Sequence, residues 1–114
     1  MDFIFGSEFN VIMPDADSDR YILSFDSEKK DYNIDDIFTY NKAKELDIYD
    51  LDKILLFKME LSEKLDFWCF PIKTISQSEK SFDLNYQSTV FFPYINLKIE
   101  KNEIKSFYID IEII

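Results

Sequence analysis

Between Leu55 and Ser62 the apolar side chains Leu55, Phe57, Met59 and Leu61 alternate with Leu56, Lys58, Glu60 and Ser62. Successive side chains of a β-strand point to opposite faces, so a two-residue period turns one face to a core and the other to water. A helix, with its 3.6-residue period, cannot divide these residues in that way. The same period returns at Phe82, Leu84 and Tyr86, at Ile95, Leu97 and Ile99, and at Phe107, Ile109, Ile111 and Ile113. Sheet is therefore expected over much of the chain. Residue usage agrees, because 12 Phe, 7 Tyr and many isoleucines stand against two alanines and 1 Gly. Branched and aromatic side chains suit a pleated, half-buried surface better than a helix.

The remaining stretches fill in an architecture. Phe9 to Met13 and Tyr21 to Phe25 read as two strands joined by the acidic turn PDADSDR, and Ser27 to Tyr32 reads as a loop. Asn33 precedes Ile34, Ile37 and Phe38, whose spacing predicts a helix from about Ile34 to Leu46 with Asp35 and Asp36 in its first turn. Glu63 and Lys64 are expected to turn a hairpin spanning residues 55 to 75. Its second arm, Leu65 to Ile75, is apolar on both faces and reads as a central strand covered on both sides, with Pro71 counting against that placement. The final stretch, Val90 to Ile114, reads as a terminal hairpin with a polar tip at Lys101-Asn102-Glu103. The fold class expected is α+β: a mainly antiparallel β-sheet with one helix packed on a face. An all-β barrel or sandwich is the alternative if residues 34 to 46 are strand. With 114 residues and no linker, the chain is expected to form a single domain over residues 1 to 114.

Several chemistries lack their parts. With no histidine, neither a Ser-His-Asp nor a Cys-His arrangement can be built, and the usual ligand for zinc, copper and iron is missing. One glycine cannot supply a phosphate loop or a dinucleotide fingerprint, and one cysteine cannot supply a disulfide or a zinc site. Cys69, between Trp68 and Phe70, reads as a small buried hydrophobe. Carboxylate-pair glycoside hydrolysis needs two carboxyls about 5–10 Å apart across a cleft, for which a chain this short has little material. Asp15, Asp17 and Asp19 fit the first ligand positions of a calcium loop. Arg20 then stands where glycine is needed and Asp26 where a bidentate Glu is needed, so a plain acidic turn is the preferred reading. No enzyme activity, cofactor or metal is expected.

The net charge of −10 opposes direct nucleic-acid binding and anionic membranes, and it favours a basic protein partner. The acidic excess is uneven. Asp15 to Asp52 holds twelve acidic residues against five basic ones, whereas Leu61 to Ile114 holds eight against six. Tyrosines are interleaved with carboxylates most densely in ELDIYDLD. Asp35, Asp36, Tyr40, Glu45, Asp47, Tyr49, Asp50 and Asp52 are therefore the candidate partner-binding residues. The function expected from this map is an acidic, immunity-protein-like inhibitor that occludes the active site of a basic toxin or nuclease. A DNA mimic is a second reading. A structural module is a third, with the apolar ending Ile109 to Ile114 pairing edge to edge as a homodimer. Without a signal-like opening or a long apolar run, the chain reads as cytoplasmic. Gly6-Ser7-Glu8-Phe9 is a tetrapeptide that cloning sites encode, and if it is such a scar residues 1 to 9 carry no functional information.

Overall fold

A computed structural model describes residues 2–13, 18–30, 32–51, 54–77, 82–100 and 103–114. The strands are β1 (Asp2–Gly6), β2 (Phe9–Val11), β3 (Tyr21–Phe25), β4 (Glu28–Lys30), β5 (Phe38–Asp50), β6 (Leu55–Gln77), β7 (Phe82–Lys98) and β8 (Ile109–Ile113), with one 3-10 turn at Ser18–Arg20. The hydrogen-bonded order is β1-β7-β6-β5-β3-β4, with β2 also on β7 and β8 also on β6. Every described pairing is antiparallel.

This sheet folds over on itself into two layers. Phe57 and Cys69 both lie on β6, and an extended strand of that length would hold them about 40 Å apart. Yet the Phe57 ring stacks 6.4 Å from the ring of Phe91, the β7 residue paired with Cys69. The fold-over occurs where the β5–β6 register jumps from Ala43↔Leu65 to Glu45↔Glu60, which leaves Leu61 to Lys64 bulged. Lys42, at φ 61°, supplies the matching irregularity on β5. The first layer is β4, β3, the end of β5, the start of β6, and β8; the second is the start of β5, the end of β6, β7, β1 and β2. Between them Leu23, Phe25, Leu46, Ile48, Phe57 and Met59 meet Phe67, Cys69 and Phe91 in one core. Each such side chain contributes roughly 1.5–3 kcal/mol by leaving water. Burial also pushes the Cys69 thiol up to about 12, so it stays protonated and inert.

Beyond the body, β6 and β7 continue as a two-stranded arm from Lys73↔Tyr86 to Gln77↔Phe82. The molecule is elongated, with a longest extent of 59 Å and a radius of gyration of 16.4 Å, against about 13 Å for a compact chain of this size.

The fold is thus all-β, and the sandwich alternative describes it better than α+β with one helix. The expected helix over 34–46 is a turn followed by β5. Asn33 N donates to Asp36 Oδ2 at 2.8 Å and Asp36 N donates to Asn33 O at 3.1 Å, so the polar groups read as a helix cap close a turn instead. Ile34 and Phe38 are buried but Ile37 is 76% exposed, so the three do not share a face. The expected loop over residues 27 to 32 contains β4, joined to β3 by the two-residue turn Asp26-Ser27, both with positive φ. Glu63 and Lys64 do not turn a hairpin: they lie in the bulge at which β6 folds over, and the two halves of β6 pair with β5, β7 and β8 and not with each other. The terminal hairpin does not form either: β8 pairs with the start of β6, and β7 pairs with β1, β2 and the end of β6. The acidic stretch Pro14 to Asp17 lies outside the described residues.

Candidate functional site

The two layers present outer faces of opposite chemistry. On the first, Glu45 and Asp47 alternate along β5 with the core residues Leu46 and Ile48, so both point outward. The ladder continues Asp47 to Lys58 and then to Glu112, and Glu45 to Glu60 and then to Asp110. Five acidic residues and one lysine therefore share this face, and three of the carboxylates reach the ammonium. Lys58 Nζ lies 2.6 Å from Glu45 Oε1, 3.6 Å from Glu60 Oε1 and 3.7 Å from Asp47 Oδ1. Asp47 is only 4% exposed, and its Oδ1 has no hydrogen-bond partner. Burial, and then the hydrogen bond and charge of Glu45, push the Asp47 carboxyl up to about 6. The Lys58 hydrogen bond holds Glu45 below the ordinary carboxylate value, and Lys58 itself is raised, first by that same bond. Among the described residues no group of three or more His, Cys, Asp or Glu is arranged to hold a metal ion.

The other residues singled out by sequence are placed differently. Tyr40 lies beyond the Lys42 irregularity and stacks on the core ring of Phe25 at 4.3 Å. Asp36 closes the turn at Asn33, and Asp50 Oδ1 accepts from Ile54 N at 3.1 Å. Asp35 is half-buried near Tyr86. Tyr49 is half-buried at the end of β5, and Asp52 lies outside the described residues. The structure therefore brings Glu45 and Asp47 together and joins them to Glu60, Asp110 and Glu112, which a charge map read along the chain did not single out. Their parity was the available signal, since each alternates with the apolar residues of β6 or β8.

The outer face of the second layer is aromatic. The pairs Asp66↔Tyr94, Trp68↔Phe92 and Phe70↔Val90 share this face, while Phe67, Cys69, Phe91 and Pro93 point into the core. Trp68 is 47% exposed, and Phe70, Phe92 and Tyr94 are half-buried. Trp68 and Phe70 lie 4.9 Å apart, Phe92 and Tyr94 6.0 Å. Exposed polar residues border them: Thr39 beside Trp68, Asn10 beside Val90, and Asn96 on β7. The strand expected to be covered on both faces is thus covered on one, because the segment that should have formed the covering helix is β5 in the sheet itself. Gly6 supports the face from β1, opposite Tyr94. A Cβ there would lie 2.8 Å from the Phe92 ring and 2.8 Å from the Pro93 carbonyl oxygen, so only glycine lets that ring lie against the β1 backbone.

A third feature is an apolar groove of about 500 Å³ between β2 and β8, where the layers part; Phe9, Val11, Met13, Leu56, Phe57 and Ile113 line it. No helix among the described residues is long and apolar enough to cross a membrane. A family model described as "Alpha-amylase/4-alpha-glucanotransferase, C-terminal" matches residues 1–107. No curated protein and no solved structure matches the chain. The match covers nearly the whole sequence, and the chain belongs to that family.

Proposed function

We propose that this member of the alpha-amylase/4-alpha-glucanotransferase C-terminal family is a non-catalytic β-sandwich domain that binds α-glucan in the service of a glucan-processing enzyme. Family membership over residues 1–107 is the observation that carries the reading. The carboxyl pair with divergent proton affinities, Glu45 and Asp47, shares one ammonium, with Lys58 Nζ 2.6 Å from Glu45 Oε1 and 3.7 Å from Asp47 Oδ1. Glycoside hydrolysis needs two carboxyls that flank a bound sugar, whereas Asp47 is 4% exposed and both groups lean on Lys58, so this pair suits a structural clamp better than a catalytic couple. The inhibitor role expected from the acidic excess draws no support from the family or from the geometry. Glu45 and Asp47 are engaged with Lys58, and Asp36 and Asp50 accept backbone hydrogen bonds within turns.

Two measurements test this reading. Incubation with maltoheptaose, followed by chromatography of the sugars, should give neither hydrolysis nor transfer products. Co-sedimentation with insoluble starch should retain the chain, and soluble maltooligosaccharide should release it. New sugar products would overturn the non-catalytic assignment, and a chain that stays in the supernatant would overturn the binding assignment.

A further inference from the structure

We infer that the outer face formed by Trp68, Phe70, Phe92 and Tyr94 is a platform on which an α-1,4-glucan chain stacks. The inference rests on the proposed function and adds where and how the glucan is held.

Sheet geometry sets the shape of the platform. Phe70, then Trp68 beside Phe92, then Tyr94 occupy three successive rows, two residues apart along β6 and β7. Their centres therefore run diagonally over about 15 Å, long enough to contact several consecutive sugar rings. A pyranose presents C–H groups on its faces and hydroxyls around its rim. Aromatic rings lying on a sheet take the first, and the hydroxyl of Thr39 and the amides of Asn10 and Asn96 at the border can hydrogen-bond the second.

The chemistry of the face also selects the ligand. Its centre is made of uncharged rings on a chain of net charge −10. Single-stranded nucleic acid also stacks on aromatics, but it requires a basic groove to track its phosphates, and the chain as a whole repels them. A neutral polyol meets no such opposition. The platform is also held in place from beneath: Phe92 lies against the backbone at Gly6, and Val90 is fully buried between Phe70 and Asn10. Rings fixed before the ligand arrives lose little freedom on binding.

The chain carries one tryptophan, Trp68, which makes the platform its own reporter. Titration of the intact protein with maltoheptaose should shift Trp68 emission to shorter wavelength and saturate, whereas cellohexaose at the same concentrations should leave it unchanged. Trp68→Ala and Tyr94→Ala should each weaken starch retention at least tenfold. Ile75→Ala, exposed on the arm, should leave retention as it is. The wild-type fluorescence titration needs no variant, so a Trp68→Ala protein that failed to fold would not remove the test. Starch retention with unchanged Trp68 emission and undiminished binding by Tyr94→Ala would place the glucan elsewhere and overturn this inference while leaving the proposed function standing. Loss of starch retention by the wild type would remove both. A concentration-dependent dimer that Tyr94→Ala dissociates, with no response to maltoheptaose, would make the face an interface between copies and overturn the inference.

Discussion

Lys58 reaches diagonally across the β5–β6 ladder to Glu45, at 2.6 Å, although the register sets Lys58 opposite Asp47 and Glu45 opposite Glu60. One ammonium thereby serves two neighbouring carboxyls, one of them buried. Opposite charges in contact on a sheet face contribute modestly, but removing the cation from a buried carboxylate leaves that group uncompensated. Lys58→Met is expected to lower stability by about 1–2 kcal/mol at pH 8, after allowing for the partial exposure of Lys58 and Glu45. The loss should be smaller at pH 5, where Asp47 is mostly protonated. Urea denaturation at the two pH values measures both figures, and equal losses at both would mean that Asp47 does not share the cation.

Asp47 also sets a pH dependence of definite sign. Its carboxyl is pushed up to about 6 from the ordinary 3.8, so between those values the folded protein keeps a proton that the unfolded chain releases. Its contribution to stability is fully present below about pH 4, declines as pH rises through 6, and is level above that. Two pKa units set an upper figure of roughly 3 kcal/mol. Asp47→Asn keeps a hydrogen-bond donor for Glu45 without the charge. The stability of the variant relative to wild type should therefore rise between about pH 4 and 6 and flatten above that. Glu45, held below its ordinary value, acts in the opposite direction, so the difference between the two proteins is the quantity to follow by thermal melts. A difference that stays constant with pH would refute the assignment.

Strand existence was legible in the sequence wherever one face is buried and the other wet. Leu55 to Leu61 lies in β6 with Phe57, Met59 and Leu61 buried as its alternation requires, and Tyr21 to Phe25 and Ile109 to Ile113 are also strands, although the first is buried on nearly every residue and the second is mostly exposed. Partnership was not legible, because alternation says which face is buried and not which strand lies alongside. Hence β8 was expected beside β7 and lies beside β6. Ile34, Ile37 and Phe38 imitate a helical face over a span too short to distinguish it from a turn followed by a strand, and pairing of β5 with both β3 and β6 overrides the local signal. The aromatic face was hidden by the same ambiguity. A run apolar on both sides looks alike in sequence whether a second layer covers it or a ligand does.

The free edge of β8 carries the next expectation. Ile109, Ile111 and Ile113 alternate with Asp110 and Glu112 on a strand that pairs, among the described residues, with β6 alone. Charged residues on an edge oppose pairing with a second copy. Replacing both with valine should turn the edge into an association site, visible as a mass that rises with concentration in light scattering, while the wild type stays constant over the same range. A double variant that remains monomeric at high concentration would show that Asp110 and Glu112 are not what keeps this edge from pairing.

Gly6 offers a test of how the aromatic face is built. A methyl group at this position meets the Phe92 ring at 2.8 Å on one side and the Pro93 carbonyl oxygen at 2.8 Å on the other. The ring can move; the carbonyl belongs to a paired strand and moves only with the β1–β7 ladder. Gly6→Ala is therefore expected to lower stability by about 1–3 kcal/mol, the usual range for overpacking a tight site. It should also change Trp68 emission, because displacing Phe92 disturbs the ring directly opposite Trp68. Adding Phe92→Leu to Gly6→Ala should recover the part of the loss due to the ring and not the part due to the carbonyl, so the double variant should fall between Gly6→Ala and wild type. Full stability in Gly6→Ala, with Trp68 emission unmoved, would mean that the β1 backbone does not support the platform.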